Sequence, residues 1–476
     1  MFSVTSTPSV ENPRKTPFPH QKKWKGVLGP RELVTSSTIL RRLEMQGNSP
    51  AAARKILERD FTNSGVWQSL HFRMEAGARL YCSKSFYGES AFLSKLRPIL
   101  RKRRKGIARV LDAIFKFDAL DIDTVKKLTA IELDAKGKGT FLKRELSAIE
   151  EVGLGRFDNS GTHRQRLVRL KELESDENLD LAVELLVQRE AEQHWLKLVL
   201  DQLRRNNMVA WNSSCKHGEI FNNHYFTAKA FSFLRPLTRF QNQKPVPCPT
   251  VFEILNRKAE VFDVEGFIER MFRAGANNRR KLRMLGLIGA PSFSPEAFEL
   301  ARGNGLIVIN FRENFGEVAL ELMVSAEQLL TVCNETVHHT PRTTEVASAA
   351  RRFTKSIREL RNHPMITTLS GLAFEALCCA VLRSSGYEGV ETGLRVPFLD
   401  KEKKATAFLR AKGKNNISEC RAEIWTTGTI GAEAKTCLAE IKLNPRVKPA
   451  ILTKEEIPIP QRLKPFNRML QVLAAI

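Results

Sequence analysis

Close to the carboxy terminus, Ala439-Glu440-Ile441-Lys442 sets a carboxylate and an ammonium two residues apart in a short apolar run. Side chains alternate along a strand, so Glu440 and Lys442 share one face and Ile441 takes the other. Upstream, Ala422-Glu423-Ile424-Trp425 reads as a second strand with one acid, and Gly371-Leu372-Ala373-Phe374-Glu375 opens an apolar helix. Hydrolysis of a phosphodiester needs a hydroxide nucleophile and positive charge against the transition state. Metal-bound water supplies the first, and the metal with a lysine supplies the second. Hard carboxylate oxygens suit Mg2+. The expected catalytic set is therefore Glu375, Glu423, Glu440 and Lys442, with Mg2+ or Mn2+ as cofactor. Glu423, Glu440 and the Ile441 backbone carbonyl are the expected ligands. Glu375 reaches the same ion or positions a second, and Lys442 orients the water or screens charge.

The elements that must hold these groups are read over 362–476: helix 369–383, turn 384–387, strand 390–398, a Lys-rich hairpin, strands 420–426 and 436–443, and helix 461–475. These marks resemble the PD-(D/E)XK, or restriction-endonuclease-like, superfamily, whose core runs α-β-β-β-α-β. Gly371-x-x-Phe374-Glu375 matches the helix mark and Glu440-Ile441-Lys442 the (D/E)-x-K mark. Glu423 stands where the family usually has Asp. The resemblance implies a metal-dependent endonuclease and covers about the last 110 residues. A second stretch, Gly289-Ala290-Pro291-Ser292-Phe293-Ser294-Pro295-Glu296-Ala297 followed by 306–310, resembles the strand-helix-strand that follows (D/E)-x-K in Mrr-type nucleases. Here it precedes the catalytic marks. Either the nuclease core is permuted, with residues 283–311 completing its sheet, or 250–335 is a separate α/β domain, a decayed nuclease copy. The absence of a matching acid triad before Leu282 favours the second.

The first half repeats a helix, a turn and a second helix. The first unit is 34–46, Gly47-Asn48-Ser49-Pro50, then 51–59, with Ser49 as N-cap and Pro50 in the first turn. Strands 66–72 and 79–82 follow as a wing. The second is 122–133, Gly137-Lys138-Gly139, then 141–151, and the third ends with helix 194–205. Each resembles a winged helix-turn-helix, whose second helix enters the major groove. Arg54, Lys55 and Arg59 on the first recognition helix are expected DNA contacts. So are Lys95, Arg97, Arg101, Lys102, Arg103, Arg104 and Lys105, a run with seven cations in eleven residues, suited to phosphates; a solvated helix face or targeting signal is the bland alternative. Residues 164–193 read as a charged helical connector, 241–249 as a linker and 334–351 as a polar loop.

The chain has 476 residues, 76 Lys and Arg against 52 Asp and Glu, and a net charge of +24. Such an excess points to a polyanion, above all double-stranded DNA. No apolar run is long enough to span a membrane. Eight scattered cysteines without a CxxC pair suit a reducing compartment. The expected domains are 1–30, a flexible basic arm; 31–110, a winged-helix-like module; 111–160, a second; 161–245, a helical connector with a third; 250–335; and 362–476. The expected fold class is multidomain α+β: helical winged-helix-like modules, then an α/β region and a restriction-endonuclease-like α/β core. The expectation is a DNA nuclease of host defence or restriction, cytoplasmic and nucleoid-associated. Its protein partner would be a second copy or a defence-system protein. The alternative is a non-catalytic winged-helix regulator with a degenerate nuclease-like domain.

Overall fold

The computed structural model describes residues 27–61, 67–70, 79–87, 89–133, 146–150, 155–158, 166–169, 177–211, 217–234, 238–276, 284–335, 343–359, 369, 395–398, 401–404, 408–412, 419–424 and 447–452. The chain is mixed α+β, with helices and several small sheets. It forms two compact units, one of residues up to 108 with 144–155, the other of 109–143 with 156 onward.

In the first unit, strand β1 (Val34–Thr35) leads into helix α1 (Ser36–Met45). Thr35 Oγ1 accepts the Thr38 amide at 3.3 Å and caps it. Ile39 and Leu43, four apart, face the core. Gly47 takes φ +89°, and Asn48 and Ser49 complete the turn. Helix α2 (Pro50–Ile56) starts with Ser49 accepting from Ala52 and Pro50 in its first turn, then passes into a π-helical turn, Leu57–Phe61. Strands β2 (Trp67–Leu70) and β3 (Leu80–Ser83) are antiparallel, and β3 also pairs β1, so the sheet order is β1-β3-β2. Val27, Leu28, Val34, Ile39, Leu43, Ala53, Leu57 and Tyr81 form the core. Helix α3 (Ser90–Arg103) buries Phe92, Leu96 and Leu100.

Helix α4 (Lys105–Phe117) precedes β4 (Ala119–Asp121) and α5 (Ile122–Thr129). Asp121 caps α5, and Ala130 ends it at φ +51°, four residues short of the expected helix. After helical residues 146–150 come β5 (Gly155–Asp158) and β6 (Arg166–Arg169), in sheet order β4-β6-β5. The chain order strand, helix, helix, strand, strand thus recurs with the same sheet order. Residues 166–169 are a strand and not part of a helical connector; a Leu167-Val168 pair between arginines carries no alternation that would announce a strand.

The expected third helix-turn-helix is not formed. Residues 194–205 end a single helix, α6 (Glu177–Arg205), whose buried Val187, Ala191, Trp195, Val199 and Leu203 recur every four residues. That stripe needs one long partner face, which a sheet supplies. Strands β7 (Glu219–Phe221) and β8 (His224–Phe226) form a hairpin, followed by β9 (Ala228–Ser232). The expected linker is a second hairpin, β10 (Arg239–Gln241) with β11 (Lys244–Val246), turning at Asn242 and Gln243 with positive φ. Strand β12 (Cys248–Ile254) is buried throughout. Helix α7 (Val261–Ala276), β13 (Leu285–Ala290), α8 (Pro295–Gly303) and β14 (Ile307–Asn310) follow. The expected β-α-β unit is present, its strands parallel in the order β14-β13-β12, with β9 antiparallel at the other edge. Ser294 caps α8 as expected.

Short α9 (Phe311–Phe315), α10 (Glu317–Glu335) and α11 (Thr343–Glu359) complete the layer that shares a core with α6. The expected polar loop at 334–351 is helical over most of its length. Val346, Ala350, Phe353 and Ile357 draw it onto the core. The opposite sheet face packs on α7 and α8. The α/β layer therefore begins with α6 and runs through α11, wider than 250–335. Farther on, β15 (Arg395–Phe398) pairs β16 (Lys401–Lys404). Strands β17 (Phe408–Lys412), β18 (Glu419–Ile424) and β19 (Val447–Leu452) form a sheet with β18 central, antiparallel to β17 and parallel to β19. Residues 285–310 belong to the sheet of β9 and β12, so among the described residues they do not complete the β17–β19 sheet. No helix among the described residues is long and apolar enough to cross a membrane.

Candidate functional site

Helix α2 is the clearest surface for a polyanion. The spacing of α2 and of the π-helical turn that continues it buries Ala53 and Leu57, so Arg54, Lys55 and Arg59 turn outward and are exposed, with Glu58 among them. Behind it, Arg42 grips Glu32 through two bonds of 2.6 and 2.7 Å and donates to the Val27 carbonyl at 2.8 Å. That pairing holds the Glu32 carboxyl below its ordinary range, chiefly through the hydrogen bond from Arg42. The pair ties α1 to residues 27–32, while Arg54, Lys55 and Arg59 are exposed.

The run from Lys95 divides. Lys95 donates to the Arg31 carbonyl at 2.6 Å and lies over the Phe86 ring, so it serves the fold as well as the surface. Arg97, Arg103 and Arg104 are half-buried, and Arg101, Lys102 and Lys105 are exposed. Burial of Leu96 and Leu100 makes the α3 part of the run one face of an amphipathic helix, which ends at Arg103 with Arg104 as its C-cap before Lys105 opens α4.

Of the expected catalytic residues, Glu423 lies on β18, paired with Phe408 on one side and Ile451 on the other. Glu375, Glu440, Ile441 and Lys442 lie outside the described residues, as do all but Leu369 of the helix expected at 369–383 and the whole of that expected at 461–475. Among the described residues no group of three or more His, Cys, Asp or Glu side chains is placed to hold a metal ion.

A buried ionic cluster in the α/β layer was not expected. Glu253, in the otherwise uncharged strand β12, accepts from Arg270 of α7 at 2.5 Å and from Lys127 of α5 at 2.9 Å. Lys127 also lies 3.8 Å from Glu192 of α6. Arg270 further donates to the Tyr225 carbonyl at 2.7 Å and to the Gly266 carbonyl at 3.2 Å. Burial alone would raise the Glu253 pKa; Arg270 and Lys127 outweigh it and hold it at about 2. Burial would likewise lower Lys127, and Glu253 with Glu192 raises it. Asp123 follows the same pattern: against burial, Lys126 and Arg189 keep it at about 2. A lone acid in a seven-residue buried strand was the available signal, because such a charge must be paired.

A second polar group sits just past β12. Trp195 Nε1 donates to Asn256 Oδ1 at 2.9 Å, and Asn256 Nδ2 donates to Glu327 of α10 at 2.7 Å. Phe311 stacks on Trp195 at 4.3 Å. Burial lifts the Glu327 carboxyl to about 7, with Asn256 pulling the other way. No family model, curated protein or solved structure matches the chain.

Proposed function

We propose that this chain is a duplex-DNA-binding protein whose amino-terminal unit grips DNA as a winged helix-turn-helix, with α2 in the major groove and the β2–β3 hairpin toward the backbone. One observation carries the reading: a strand, two helices joined at Gly47–Ser49 and a hairpin, in sheet order β1-β3-β2, present Arg54, Lys55 and Arg59 to solvent. The chain's excess of positive charge supports a polyanionic ligand.

A second reading is hydrolysis of that DNA by the carboxy-terminal segment. It rests on the PD-(D/E)XK marks and on the position of Glu423 in a central strand between antiparallel and parallel neighbours. Its oxygen donors, Glu375, Glu423, Glu440 and the Ile441 carbonyl, suit Mg2+, which would supply activated water and offset phosphate charge. Lys442 would orient the water. The cluster at Glu253 does not fit such a metal: Lys127 stands between its two carboxylates, and Arg270 takes the remaining Glu253 oxygen. The Glu253 cluster is accordingly read as structural ion pairing.

The test is binding of labelled duplex across a salt series, together with plasmid cleavage in Mg2+ or Mn2+ and an EDTA control. Salt-sensitive duplex binding is expected, and no binding at low salt would refute the first reading. Metal-dependent cleavage that vanishes in Lys442→Ala is expected on the second. Binding without cleavage would leave the non-catalytic regulator.

A further inference from the structure

Strand β9 turns Ala228, Ala230 and Ser232 inward and Lys229 and Phe231 outward, and Phe233 continues the outer row. Ala228 and Ala230 join the core shared with α6. On the opposite face, the core under α7 and α8 takes Val251 of β12 and Ile288 of β13 and, among the described residues, nothing from β9. The helical cover thus stops at the inner strands. Phe231 is left 40% exposed and Phe233 49% exposed. Trp211, 66% exposed, is tied to this edge by the Ala210 amide donating to the Phe231 carbonyl at 2.8 Å. Phe240, 73% exposed, stands on the β10–β11 hairpin. The base of that hairpin is held by the Thr238 amide on the Leu234 carbonyl at 2.9 Å and by the Ser232–Cys248 pairing.

Exposed aromatics on the β9 edge and on the hairpin that continues from it mark an interaction site. Charge decides the ligand class. Residues 206–252 carry five Lys or Arg (216, 229, 235, 239 and 244) against a single acid, Glu219, which Lys229 meets at 3.1 Å, so the stretch keeps an excess of cations beyond that pair. Protein–protein interfaces share the enrichment in aromatics and arginine but are depleted in charge at their cores, whereas a stretch that joins exposed aromatics to an excess of cations suits stacked bases and a phosphate backbone. We propose that this edge is a stacking platform for unpaired nucleobases of a single-stranded nucleic acid. Phe233, Phe240 and Trp211 supply the ring faces, and exposed Lys244 lies on the phosphate path. The site lies in a different compact unit from α2 and does not depend on the winged-helix reading.

The full chain is titrated with a labelled oligothymidylate of ~16 nucleotides, the upper site size of one such platform, and with a duplex of equal length. The Phe233→Ala/Phe240→Ala variant should weaken oligothymidylate binding by about 5- to 150-fold per ring lost and leave duplex binding unchanged. Phe233→Tyr/Phe240→Tyr should keep the affinity, and oligothymidylate should quench Trp211 fluorescence, a signal lost in Trp211→Leu. Unchanged oligothymidylate affinity in the alanine variant overturns the proposal. So does an equal fall in duplex affinity. A shift from dimer to monomer in sedimentation with single-strand binding intact would make the edge a self-association surface. Loss of duplex binding by the unaltered chain would remove the winged-helix reading alone.

Discussion

Replacing Arg54, Lys55 and Arg59 by glutamine tests the grip of α2 most directly. Arg54 on α2 and Arg59 on the π-helical turn that continues it are five residues apart, or at most roughly 7.5 Å along the axis at the α-helical rise. That length spans about two phosphate intervals of ~3.4 Å on one strand, so the three cations reach two or three phosphates. Each lost contact removes ~0.9 from the slope of log K against log salt, a total change of roughly 2 to 3. Between 50 and 200 mM salt, a fourfold change, the affinity gap between variant and parent should therefore shrink by about 12- to 40-fold. The substitutions lie on the exposed face, away from buried Ala53 and Leu57, so the unit should keep its stability. Fluorescence anisotropy over the salt series gives both slopes, and circular dichroism checks the fold. Glu58 shares the same exposed face, and Glu58→Gln should tighten binding by removing repulsion of phosphate. Parallel log–log lines for parent and triple variant would refute the assignment of α2 to the interface, whatever the absolute affinity.

Other expectations concern the α/β layer and the carboxy-terminal marks. Arg270→Met strips Glu253 of one of its two cations and should cost about 3 kcal/mol in urea unfolding, less than a fully orphaned buried charge because Lys127 remains; Glu253→Gln added to it should restore part, and a loss under ~1 kcal/mol would contradict the pairing. Glu253 and Asp123 have depressed folded-state pKa values of about 2. Their stabilisation is present above the unfolded carboxylate range and is lost as pH falls toward 2, which an acid titration of unfolding free energy reads directly. Glu327 has the opposite sign: with its folded pKa raised to about 7, stability declines as pH rises from the unfolded carboxylate range to 7. Glu327→Gln should match the parent near pH 4.5 and exceed it at pH 8 by about 1–2 kcal/mol, discounted for partial solvent contact; a pH-independent difference would refute this. Lys442→Arg should lose ~100-fold in any metal-dependent cleavage if Lys442 positions the attacking water, and near-parental rates would remove that role.

Local signals were legible wherever one short stretch sets its own conformation. Ser49-Pro50 and Ser294-Pro295 announce helix starts, because the hydroxyl takes an orphan amide and proline needs no donor there. Both helices begin where expected. The β-rich runs at 285–290 and 307–310 and the intervening helix were equally plain. Their parallel pairing with β12 follows from the crossover helices between them. Outward placement of Arg54, Lys55 and Arg59 follows from the burial of Ala53 and Leu57 on the other side of α2.

Long-range partners decided the rest. Residues 194–205 carry the charge and turn signals of a recognition helix, yet they end a 29-residue helix because Trp195, Val199 and Leu203 have a sheet to cover. Residues 343–359 look polar until Val346, Phe353 and Ile357 are read at helical spacing against the core that α10, the helix before them, shares with α6 and the sheet. Lys127, Glu192, Glu253 and Arg270 come from three helices and one strand, separated by up to 143 residues. Sequence spacing holds no trace of their meeting. A charge cannot remain alone in a buried strand, so the composition of β12 already required some partner for Glu253; only the packing of α5, α6 and α7 around the sheet selected which cations would meet it.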